Sequence, residues 1–219
     1  MLVKDSMTRH PVMAPPTMLA AEAQHLMHEN QIRHLPVVGD GKRLLGLVTR
    51  MSFALDPGTL ASLDVWEITR HLSRLAVSEI MTPVERLVTI APDRTIERAA
   101  RQMTEDKISC LPVVEDGEVV VGILTEVDLL NAFQLMLGLP SDGVRVTMRM
   151  PNRPGEFAKL TAVLGQQQWG VMGIGTFPTP RREGFYDAVV KITGVASEQA
   201  RAVLSQVPDQ EIIDIRDVA

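Results

Sequence analysis

The 219-residue chain has a single cysteine, Cys110, which excludes an internal disulfide and any multi-cysteine metal site. Aromatic residues are scarce too, at 4%, so the core must be aliphatic, supplemented by 12 methionines. There is no run of Lys or Arg, and the formal net charge of −5 argues against a general nucleic-acid binder. No apolar run reaches the roughly 18 residues of a membrane span. The N-terminus lacks a charged-then-apolar signal pattern, so a cytoplasmic location with no membrane partner is expected. No Ser-His-Asp, metal-ligand or paired-carboxylate constellation falls at useful spacing, and neither a catalytic residue nor a metal is expected. What remains is a globular composition, 45% hydrophobic and 22% charged, with a length that suits one large or two small domains.

The chain repeats itself. Met7-Thr8 recurs as Met81-Thr82, Leu35-Pro36-Val37-Val38 as Leu111-Pro112-Val113-Val114, and Gly46–Thr49 as Gly122–Thr125. From Pro16 and Pro92 onward the offset is constant at 76 residues, the mark of a duplication. Each copy reads as strand, helix, strand, tight turn, strand, helix. Ile96, Ala99, Ala100 and Met103 share one helix face, with Asp93 or Thr95 as its cap; Ala20, Ala23 and Met27 have the same phase. Gly39-Asp40-Gly41 and Asp116-Gly117 mark the hairpins. Residues 59–75, carrying Leu60, Leu63, Ile68, Leu72 and Leu75, read as a linking helix.

Each copy ends where a β-rich run meets a helix start, at Gly122-Ile123-Leu124-Thr125-Glu126-Val127-Asp128 and Gly46-Leu47-Val48-Thr49-Arg50-Met51-Ser52. A Thr hydroxyl and, in the second copy only, a carboxylate sit beside free helix N–H groups. Taken alone, Thr125 and Asp128 are a helix cap. In a duplicated cleft they also suit a ribose-phosphate, with N–H groups for the phosphate and Asp for sugar hydroxyls. Cys110 reads as a small core or cleft-lining residue, and His25 and His28 as a solvated helix face.

These motifs, in this order, resemble the cystathionine-β-synthase (CBS) domain pair, or Bateman module. The resemblance implies repeat 1 with its linking helix over residues 1–75 and repeat 2 over 76–139. It implies two clefts, each joining the Thr-x-x-Asp of one copy to the Met-Thr start and pre-proline residues of the other. One would hold Thr8, Val12, Ile32, Arg33, His34, Pro36, Thr125 and Asp128. There Asp128 takes the ribose hydroxyls, Ile32 and Pro36 the purine faces, and Arg33 with His34 the phosphate. The weaker second cleft would hold Thr49, Ser52, Thr82, Ser109, Cys110 and Pro112. The expected ligand is AMP, ADP or ATP, since a cationic pair disfavours the sulfonium of S-adenosylmethionine.

After the breaker cluster Gly138–Gly143 the pattern changes. Val144–Met150, a helical stripe at Phe157, Leu160, Val163 and Leu164, Val171–Phe177, Tyr186–Ile192, Ser197–Val207 and Ile212–Ile215 give the order βαββαβ, which is ferredoxin-like. With Asn152-Arg153-Pro154-Gly155 at its first turn, residues 143–219 look like an ACT domain. That resemblance implies an effector near Asn152 and Gly155, or assembly into a homodimer. The fold class is therefore α/β (α+β): a tandem CBS pair plus a C-terminal ferredoxin-like βαββαβ ACT domain. The domain order is similar to the acetoin-utilisation regulatory type of CBS-ACT protein. It implies a non-enzymatic allosteric sensor that acts on an unknown regulated protein. The competing readings are an ACT-centred amino-acid sensor, with the CBS pair as dimerisation scaffold, and an S-adenosylmethionine sensor.

Overall fold

The apolar spacing of each repeat lays one helix against one three-stranded sheet, as seen in a computed structural model that describes residues 1–54 and 74–218. Residues 59–73 of the expected linking helix lie outside the described residues. The first repeat supplies α1 (Val3–Ser6), β1 (Thr8–Arg9), α2 (Ala20–Glu29), β2 (His34–Val38) and β3 (Leu44–Thr49), followed by a 3₁₀ turn over Arg50–Phe53. The second supplies α3 (Val77–Ile80), β4 (Thr82–Pro83), α4 (Ile96–Asp106), β5 (Cys110–Glu115), β6 (Val119–Thr125) and α5 (Glu126–Met136).

Helix periodicity decides which faces are buried. Ala20, Ala23 and Met27 are buried on α2, and Ile96, Ala99 and Met103 on α4. Thr95, not Asp93, caps α4: its Oγ1 accepts from the Arg98 N–H at 3.3 Å. The hairpins have equivalent registers, with His34 opposite Thr49 and Cys110 opposite Thr125.

The short strands are exchanged. β1 pairs with β6 of the second repeat, and β4 with β3 of the first. The cores follow suit: Val3 packs with Leu111, Val113 and Leu124, and Val77 with Leu35, Val37 and Val48. The repeated glycines permit this. A Cβ at Gly122 would strike Met7 and the Thr8 carbonyl; one at Gly46 would strike Met81 and the Thr82 carbonyl. The Met-Thr and Gly-Ile-Leu-Thr motifs are thus two sides of one close crossing, which a repeat offset alone does not reveal.

The chain divides into two units, Met1–Leu129 and Leu130–Ala219. The division falls inside α5, upstream of the Gly138–Gly143 cluster where a boundary was expected. The second unit continues with β7 (Gly143–Pro151), α6 (Glu156–Gln166), β8 (Gly170–Pro178), β9 (Phe185–Thr193), α7 (Ser197–Leu204) and β10 (Glu211–Val218). Its four strands form one antiparallel sheet in the order β10-β7-β9-β8. Strict alternation on β7 turns Val144, Val146, Met148 and Met150 inward, where they pack with Leu160, Leu164, Ala200 and Leu204.

Candidate functional site

The site grows from the end of β6. Where the strand stops at Thr125, the first turn of α5 leaves backbone donors without helical partners. Asp128 Oδ2 accepts from both the Thr125 N–H and the Thr125 hydroxyl, each at 2.7 Å. That fixes the carboxylate at the helix start. Its other oxygen, Oδ1, accepts no hydrogen bond among the described residues, so one acceptor stays available. In the first repeat the same position is weaker: the Thr49 N–H donates to Ser52 Oγ at 3.1 Å.

A cavity of about 770 Å³ opens beside this turn. Thr8, Val12, Ile32, Arg33, His34, Thr125 and Asp128 all line it, so residues distant in sequence converge on one space. It lies at the ends of β3 and β6, next to the apolar cluster of Leu47, Cys110 and Ile123. Its volume is within the roughly 300–1,000 Å³ range of small-molecule sites. Pro36, assigned to a purine face, is not among the lining residues. It sits two residues beyond His34 along β2, about 7 Å into the sheet, and is buried opposite Leu47.

His34 departs from its expected cationic role. It is half-buried, and its Nε2 shares a 3.0 Å hydrogen bond with Ser109 Oγ. Burial holds its pKa below the usual histidine value; Arg33 adds to this and Glu126 opposes it. At neutral pH the ring is therefore uncharged. The cations at the cavity are Arg33 and Arg50, both exposed and neither ion-paired among the described residues.

Sequence reasoning missed Arg50, Glu126 and His10, which also line the cavity. Arg50 and Glu126 were findable: each directly follows the repeated Thr, 76 residues apart. His10 was findable as well, because it lies between Thr8 and Val12, both assigned to this cleft.

Only part of the second set lines this cavity. Thr49 and Ser109 line this same cavity, because it crosses from one repeat to the other. Ser52 is spent on its own helix turn, and Thr82 pairs with Leu47 on β4. Pro112 is buried in β5. Cys110 is buried against Leu47 and Ile123, and burial pushes its thiol up to about 12, which leaves it neutral and unreactive. In the second unit Asn152 lines a separate cavity, whereas Gly155 caps α6 and does not. Among the described residues no group of three or more His, Cys, Asp or Glu side chains gathers to hold a metal. No helix among them is long and apolar enough to cross a membrane.

Two repeats, an exchanged short strand and a cavity shared between them define a CBS domain pair. The CBS domain family model matches residues 3–54 and 77–135, together about half of the chain, and the protein belongs to the CBS domain family. It is similar to a solved structure from Vibrio cholerae described as a candidate acetoin utilization protein (AcuB). The two are 33% identical, with 61% of this chain and 90% of that one covered, at a TM-score of 0.50. A structure from Methanocaldococcus jannaschii, described as a candidate archaeal homolog of g-AMPK, is 28% identical over 60% of this chain and 47% of that one, at a TM-score of 0.51. Among curated proteins, the homoserine O-acetyltransferase of Methanohalobium evestigatum is 34% identical over 49% of this chain. The chain spans only about a fifth of that protein (19%), so the likeness is to a segment of it.

Proposed function

We propose that this protein is a non-enzymatic regulatory sensor that binds AMP, ADP or ATP in the cavity between its two CBS repeats. The observation that carries this reading is the convergence of Asp128, with one free carboxylate oxygen, and Arg33 with Arg50 on a single cavity. The carboxylate accepts from ribose hydroxyls, and the guanidiniums take the phosphates through paired N–H donors. Ile32 and Val12 supply apolar surface for the purine. Arg33 and Arg50 take the phosphate-binding role expected of an Arg–His pair, in a cavity that also holds the carboxylates of Asp128 and Glu126.

The C-terminal unit serves assembly and output. Its βαββαβ order, with strands arranged β10-β7-β9-β8, supports an ACT-type, ferredoxin-like reading. β8 is an edge strand that exposes Val171, Met172, Ile174 and Phe177, which supports a homodimer built on this unit. A nucleotide regulates only through different affinities for two states of the chain. The output goes to a separate regulated protein.

The test is titration calorimetry of the full chain with AMP, ADP, ATP and S-adenosylmethionine, on wild type and Asp128→Ser. That substitution copies the first repeat's own Ser52 cap and so retains an acceptor for the Thr125 N–H. An adenine nucleotide should bind wild type at one per chain and bind the variant at least tenfold more weakly. Binding of S-adenosylmethionine alone, or of no adenosine ligand, would overturn the reading.

A further inference from the structure

The second unit holds a cavity of its own, about 570 Å³, between the turn at Asn152 and the β8–β9 hairpin. Its polar lining is unbalanced. Arg181, Arg182, Asn152 and Tyr186 bring donors, against the single carboxylate of Glu183. The neighbouring acid, Asp187, is fully engaged: Arg149 donates to both of its oxygens, at 2.8 and 3.0 Å, and the Thr179 hydroxyl adds a third bond at 2.7 Å. Asp187 is thus already bonded three times, and Arg182 acts on its charge only through space.

Of the two hairpin arginines, Arg182 is the one held by its neighbours. The Arg182 guanidinium carbon lies 3.9 Å from the centroid of the Phe185 ring, a cation–π arrangement. Its nearest acid, Glu211, is 3.9 Å away, the outer limit of an ion pair. Arg181 is held at φ 60°, a left-handed backbone that non-glycine residues rarely adopt. It has no ion pair or side-chain hydrogen bond among the described residues.

The other side of Asn152 is the opposite case. At the start of α6, buried Glu156 accepts from Arg153 at 2.7 Å and from Lys159 at 2.8 Å. Both cations also reach Asp209, at 2.7 and 3.2 Å. Two cations and two acids satisfy one another, and an incoming carboxylate would have to break that set. The turn around Gly155 is closed to an anion; the hairpin side is not.

We infer that the hairpin cavity binds a small dicarboxylate, with Arg181 and Arg182 taking its carboxylates and Asn152 and Tyr186 its remaining acceptors. Guanidinium pairs bind carboxylates through two parallel bonds, and two of them favour a dianion over a monoanion. This site lies wholly within Leu130–Ala219 and does not depend on the nucleotide reading.

Calorimetry of the full chain, without nucleotide, tests it with succinate, acetate and inorganic phosphate as probes. Wild type should bind succinate saturably at one per chain, and acetate at least tenfold more weakly. Arg181→Gln, which removes a side chain with no described partner, should weaken succinate at least tenfold. Arg201→Gln, an exposed arginine on α7 of the same unit, should not. No saturable succinate binding, an unchanged Arg181→Gln, an equal loss in Arg201→Gln, or phosphate binding as tightly as succinate would each overturn the assignment.

Discussion

The two helix starts, Thr49–Ser52 and Thr125–Asp128, descend from one pattern and have come to do different work. Both make the same backbone bond, from the Thr N–H to a side-chain oxygen three residues on. In the second repeat that oxygen is a carboxylate with one oxygen to spare; in the first it is a hydroxyl at 3.1 Å with the cap as its partner. The neighbouring residues are exchanged in charge, Arg50 against Glu126. Arg33 and His34 correspond to Ser109 and Cys110 in the same way. The difference shows how a duplicated scaffold becomes one asymmetric site. The glycine crossings stay symmetric, while the polar residues are divided so that one repeat brings cations and the other the acids Glu126 and Asp128.

The largest expected effect leaves this asymmetry aside and tests the shared scaffold. Gly122→Ala and Gly46→Ala each drive a Cβ into a Met side chain and a Thr carbonyl. Each should lower unfolding stability by about 1–3 kcal/mol, the cost of an overpacked core. Chemical denaturation should give two similar losses. A large loss at one glycine and none at the other would break the symmetry of the crossings.

Next in size is the loss of the Asp128 carboxylate, whose place in the first repeat is taken by Ser52. Asp128→Ser makes the two helix starts alike, and a charged hydrogen bond at roughly 1.5–3 kcal/mol is exchanged for a neutral one near 1. Nucleotide affinity should fall at least tenfold, while unfolding shifts little because the cap survives. The converse change, Ser52→Asp, should strengthen its helix start by a few tenths of a kcal/mol. It should add no second nucleotide, because Ser109 and Cys110 supply no cation.

The smallest effects are those of pH, at the equivalent positions His34 and Cys110. Burial drives both to their neutral forms, one by lowering a pKa and one by raising it. A histidine whose folded pKa is depressed stabilises the fold above its unfolded value near 6.5. That contribution is lost as pH falls through the depressed value. His34→Gln should flatten this part of a stability–pH profile; an unaltered slope below pH 6.5 would locate the titration elsewhere. Native Cys110 should resist alkylation at pH 8 and react only on unfolding.

Much of this was legible in the sequence. A fixed offset of 76 residues located both hairpins and both helix starts, because each repeat must bury the same apolar positions. Seven of the eight residues assigned to the complete cleft line one cavity. The exchange of β1 and β4 was legible only through the family resemblance, which joins the Met-Thr start of one copy to the Thr-x-x-Asp of the other, since a repeat by itself records spacing and not which copy a strand pairs with. The charge of His34 could not be fixed from the sequence, because burial beside Ser109 depends on how the two sheets meet. Pro36 failed for a related reason: alternation gives a face of β2 but not the depth at which the cavity stops. In the second unit, Asn152 and Gly155 are close in sequence, yet the self-paired Glu156 network separates their environments.

The most direct measurement is the calorimetric stoichiometry of an adenine nucleotide on wild type, Asp128→Ser and Ser52→Asp. One nucleotide per chain in wild type, at least tenfold weaker binding in Asp128→Ser and no second site in Ser52→Asp is the predicted result. Two equal sites per chain, or affinity indifferent to Asp128, would contradict a single shared cavity gripped by the Asp128 carboxylate and two arginines.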